Sequence, residues 1–72
     1  MAHIICPSVE LEKFKARQYF MTDVEACEYF GMKLVKVHGK GNSEVCLEVE
    51  GGDPGCEEKM AAILKGRTEY GT

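Results

Sequence analysis

Seventy-two residues leave room for one domain with a modest core, because a chain this short buries only about 60% of the surface that it exposes when unfolded. A hydrophobic fraction of 44% and a charged fraction of 29% are those of ordinary globular proteins, which excludes disordered and collagen-like chains. The net charge of −3 has the wrong sign for gripping a phosphate backbone by charge alone, and the apolar run Ile4-Ile5-Cys6 is far too short for a secretory h-region or a span of about 20 residues. Cys6, Cys27, Cys46 and Cys56 are widely spaced and no export signal accompanies them, so reduced thiols in a cytoplasm are expected, with no membrane partner.

In chain order, residues 1–9 carry no clear periodicity and read as an N-terminal arm. Residues 11–20 fit two patterns. Phe14, Ala16, Gln18 and Phe20 alternate with Lys13, Lys15, Arg17 and Tyr19 as in a strand, while Ser8, Leu11, Phe14, Gln18 and Met21 fit a helix. Charge favours the strand, since its outer face would set Lys13, Lys15 and Arg17 beside Glu44, Glu48 and Glu50 of a neighbouring strand. Thr22 followed three positions later by Glu25 is a capping-box pattern, and Gly31 closes the segment, so a short helix lined by Val24, Cys27 and Phe30 is expected between them.

Val35 and Val37 share one face of residues 32–39, and Val45, Leu47 and Val49 share one face of residues 43–50, which predicts a hairpin of half-buried strands. Side-chain parity demands an odd loop, met by Lys40-Gly41-Asn42 with Asn42 left-handed. This register sets His38 opposite Glu44 and Lys36 opposite Cys46. Gly51-Gly52-Asp53-Pro54 then breaks the strand, Asp53 caps a helix over residues 54–65 with Pro54 in its first turn, and Gly66 ends it. Cys56, Met60, Ile63 and Leu64 form its apolar face. A short last strand fits residues 67–70. The predicted fold is therefore a single α+β domain over residues 1–72, a small antiparallel sheet of three to four strands with two helices on one face. That order resembles the split βαβ pattern of ferredoxin-like domains, which hosts many unrelated functions and implies none of them.

Each candidate chemistry competes with a structural explanation. His3-x-x-Cys6 has the spacing of half a zinc site, and His38 and Cys46 would complete a tetrahedral set, yet no CxxC pair exists and no cofactor is expected. Cys46 near Lys36 and His38 could be a reactive thiol, but Glu44 and Glu48 oppose its ionisation. A metal- or redox-linked protein using His3, Cys6, Cys27, His38, Cys46 and Cys56 is one alternative function. A nucleic-acid binder using Lys13, Lys15, Arg17 and Tyr19 on an open sheet face is another, disfavoured by the glutamates beside it. Tyr19, Phe20, Met21, Tyr29, Phe30 and Met32 crowd into fourteen positions, as at protein-binding or homodimer surfaces. The preferred reading is a non-enzymatic interaction protein, an adaptor or a stoichiometric inhibitor of the size and charge that phage and mobile elements encode. It would dock on a larger protein, or pair with a second copy, through Tyr19, Phe20, Tyr29, Phe30, Glu44, Glu48 and Glu50.

Overall fold

The computed structural model describes residues 1–40 and 43–70. Among these, four strands and three helices follow the order β1 (Ala2–Pro7), α1 (Ser8–Gln18), α2 (Asp23–Tyr29), β2 (Lys33–Lys40), β3 (Glu44–Glu50), α3 (Cys56–Ile63) and β4 (Arg67–Tyr70). The strands form one sheet in the order β2-β3-β1-β4, with every neighbouring pair antiparallel. No helix among the described residues is long and apolar enough to cross a membrane, and no disulfide joins the cysteines.

The α+β class and the antiparallel sheet agree with the sequence, but its first twenty residues do not follow the expected course. Residues 2–7 are not an arm. They form a central strand whose partners run from Ala2↔Val49 to Pro7↔Glu44 on one side and from Ala2↔Tyr70 to Ile5↔Arg67 on the other. Ala2, Ile4 and Cys6 face the helices and Ile5 is buried on the opposite face, so this strand is apolar on both sides and shows no alternation. Residues 11–20 are not a strand either. Residues 11–18 belong to α1, which buries Leu11 and Phe14 and leaves Ala16 and Gln18 outside, and Tyr19 and Phe20 follow its end. With Lys13, Lys15 and Arg17 on this helix, the expected charge ladder beside Glu44, Glu48 and Glu50 does not form; instead Lys15 Nζ lies 2.8 Å from Asp23 Oδ1 and 3.1 Å from Glu12 Oε1.

The second helix forms where the capping pattern placed it. Thr22 Oγ1 accepts a hydrogen bond from the Glu25 N–H at 3.3 Å, while Glu25 Oε2 accepts one from Met21 N–H at 2.9 Å. Its inner side is Ala26, Cys27 and Phe30, with Val24 exposed. Each helix ends in a Schellman-type turn. The left-handed residue is Tyr19 after α1, Gly31 after α2 and Lys65 after α3, and Phe20, Met32 and Gly66 donate to Lys15, Cys27 and Ala61 respectively.

The hairpin is present, with its register displaced by two residues. His38 pairs with Cys46 and Lys36 with Glu48, not with Glu44 and Cys46 as expected. Lys40 pairs with Glu44 and so belongs to β2; the proposed turn residues Gly41 and Asn42 lie outside the described residues. Val45, Leu47 and Val49 face inward as expected, but Val35 and Val37 do not share their burial. The pairing slips between Leu34 and Lys36, which puts Val35 in a bulge, and β2 runs along the sheet edge, so Val35 and Val37 stay 44% and 43% exposed. Leu34, opposite Val49, and buried Met32 take over the inner positions.

The third helix starts at Cys56, two residues later than Pro54. Gly55, left-handed at φ 91°, is its N-cap, while Asp53 contributes only its carbonyl oxygen to Cys56 N–H at 3.1 Å. Met60, Ala61 and Leu64 are buried, and Ile63 is not. All three helices lie on one face of the sheet, since Leu11, Phe14, Ala26, Cys27, Phe30, Met60, Ala61 and Leu64 share a single core with Ala2, Ile4, Cys6, Leu47 and Val49. Among the described residues the other face carries no helix.

Candidate functional site

Two regions hold the side chains that could act on something outside the domain. The first is the helix-free sheet face. Strand parity brings His3 of β1, His38 of β2, and Cys46 and Glu48 of β3 to this side, where His3, His38, Gly39 and Cys46 line a depression of about 300 Å³. Glu48 binds both imidazoles. His38 Nε2 is 3.0 Å and His3 Nε2 3.8 Å from Glu48 Oε1, and the rings stack at 6.0 Å with 26° between their planes. The His38 hydrogen bond, helped by the charges of His3, His38 and Lys36, holds the Glu48 carboxyl below the usual carboxylate range.

This arrangement overturns the proposed ligand set in one respect. His3, His38 and Cys46 do come together, but Cys6 points through the sheet to the helix side, fully buried. Burial first, and Asp23 second, push its thiol up to about 11. Cys27, pushed up to about 12 by the same causes, is also part of the core. Among the described residues no three His, Cys, Asp or Glu side chains are grouped to hold a metal ion. Cys46 itself is only 2% exposed, which closes it to a substrate that it would have to attack. The base-stacking alternative loses its platform as well, since Lys13, Lys15, Arg17 and Tyr19 are all away from the open sheet face.

The second region is a groove of about 500 Å³ between the end of α2 and α3, lined chiefly by Tyr29, Phe30, Cys56 and Ile63, with Asp53 and Lys59 on its rim. The crowded aromatics explain its floor. Phe14 stacks on Phe30 at 5.6 Å and meets Tyr29 edge-on at 5.6 Å, while Phe20 lies 5.9 Å from both Phe14 and Tyr29. Phe30 is therefore core and Phe20 half-buried, whereas Tyr29 stays more than half exposed and Tyr19, outside the ring cluster, is 90% exposed. Glu44 and Glu50 are exposed on β3, and Glu48 is occupied by the histidines. Cys56 and Ile63 were not among the nominated docking residues; the sequence signal was the apolar stripe of α3, which reads equally well as core.

No protein-family model, curated protein or solved structure matches this chain. What its geometry defines is a small α+β protein with a one-sided helix layer.

Proposed function

We propose that the chain is a non-enzymatic interaction module, an adaptor or stoichiometric inhibitor that docks on a larger protein. The observation that carries this reading is the groove between α2 and α3, in which Tyr29 and Ile63 stay exposed although the core beside them is closed. Aromatic and aliphatic side chains standing at the lip of a preformed groove are what protein interfaces use as anchors. The paired histidines with Glu48 lend no support to thiol chemistry, because the neighbouring Cys46 is covered. A ferredoxin-like arrangement is the fold reading that goes with this proposal; in its support, β3 lies between β1 and β2, and β1 between β3 and β4.

The test is capture of partners from the source cell with the intact chain and with an Ile63→Glu variant, followed by reconstitution of the captured protein with purified chain. A partner that forms a stoichiometric complex with the wild type and loses it in Ile63→Glu supports the proposal. Equal capture by both, or turnover of any substrate by the chain alone, refutes it.

A further inference from the structure

The groove leaves the sheet's long edge unaccounted for. β2 is an eight-residue edge strand, and in antiparallel pairing alternate residues turn their N–H and C=O groups away from the neighbour. Among the described residues, no backbone hydrogen bond outside the β2–β3 ladder involves Lys33 to Lys40. Beyond the bulge, residues 36–40 pair regularly with β3, so the outer side of that run is a straight stretch of unused donors and acceptors.

Two further observations bear on what could cover it. Gly39 sits in this run although nothing among the described residues calls for glycine there: its φ is not left-handed, it is not at the bulge, and an added Cβ would meet no described atom within 4 Å. Glycine inside a regular strand marks a place where another backbone comes close. The second is charge. Lys33 and Lys36 of β2 are positively charged, in a chain whose net charge is −3. Lysines on an edge repel a second copy of the same edge, but they attract a strand of opposite sign. Val35 and Val37, half exposed, supply the apolar contact such a strand would take up.

We propose that the outer edge of β2, at residues 36–40, accepts an extended acidic segment of a partner protein as a fifth strand of the sheet. Main-chain hydrogen bonds would hold it, and the lysines would select its charge. This surface is separate from the α2–α3 groove, so the two proposals fail separately.

The probe is a ten-residue peptide of alternating glutamate and valine, titrated into isotopically labelled full-length protein and followed by amide shifts and hydrogen exchange. Saturable shifts and slowed exchange within residues 33–40 are expected, with affinity at least tenfold weaker for Lys33→Glu/Lys36→Glu and intermediate for Lys33→Gln/Lys36→Gln. The wild-type map decides the matter even if the charge-reversed variant folds poorly. Absence of binding, equal binding of a control peptide in which lysine replaces each glutamate, shifts confined to Tyr29, Cys56 and Ile63, or self-association of the protein through β2 would each overturn the proposal.

Discussion

Replacing Gly66 by alanine should damage this domain more than a methyl group added at any other of the described glycines. A Cβ there would stand 2.3 Å from the Ile5 carbonyl oxygen, 2.8 Å from Cys6 Cβ and 3.0 Å from Cys6 Cα. These atoms belong to the backbone and first side-chain carbon of the central strand, which cannot swing aside as a long side chain would. Overpacking of this kind costs about 1–3 kcal/mol, and the clash with a carbonyl oxygen puts Gly66 toward the upper end. Alanine also restricts the unfolded chain, which returns about 0.4–1 kcal/mol. The net loss is about 2 kcal/mol, against roughly 4–11 kcal/mol for a whole domain of 72 residues. At about 4–8 °C per kcal/mol for a domain of this size, Tm should fall by about 8–16 °C in a calorimetric or circular-dichroism melt. Gly39→Ala is the matched control, because its Cβ meets nothing and its φ is ordinary, so it should hold or raise Tm. A Gly66→Ala variant melting within about 2 °C of wild type would refute the close approach of the α3–β4 turn to β1.

Two other outcomes follow from the titrating groups. Glu48 has a folded pKa below its unfolded one, so its contribution to stability is complete above the unfolded carboxyl range near 4.5 and is lost as pH falls through the lower, folded value. The gap in denaturant midpoint between wild type and Glu48→Gln should therefore narrow from pH 6 to pH 3, and a gap that is constant or widens in acid contradicts the His38–Glu48 bond. Among the thiols, half-buried Cys56 should be modified first in native protein, whereas Cys6 and Cys27, buried with pKa values near 11 and 12, should wait for unfolding. Mass mapping after brief labelling that finds Cys6 or Cys27 ahead of Cys56 would contradict the placement of the core.

The elements whose ends are marked by local chemistry were legible in the sequence. Thr22, Glu25 and Gly31 bracket α2 because capping needs only neighbours along the chain, and Gly66 marked the end of α3 for the same reason. The central strand was hidden because it buries side chains on both faces: Ile4 and Ile5 point opposite ways and are both buried, so the alternation that identifies a half-exposed strand is absent. The alternation of Phe14, Ala16, Gln18 and Phe20 was coincidental, since only Leu11 and Phe14 of α1 are buried and so narrow a stripe scarcely registers at helical period. Val35 and Val37 misled because burial at an edge strand depends on what lies beyond it, which no spacing encodes. The site was half legible. His3, His38, Cys46 and Glu48 were all singled out, but Glu48 was assigned to an external partner, and only the two-residue register shift and the true course of β1 bring both imidazoles onto its carboxylate.

The pairing of β1 with both β3 and β4 also constrains how the chain can be made. Residues 2–7 leave the ribosome before any of their sheet partners exist, and Ala2 waits for Tyr70 before its second edge is covered. Until β3 is made, Ile4 and Ile5 are open to solvent on a strand with two bare edges, and a nascent or truncated chain that stops short of β4 leaves one edge of this central strand uncovered. Most of the sheet's contacts close loops that are long for so small a domain, which favours slow, all-at-once folding after synthesis over assembly during it.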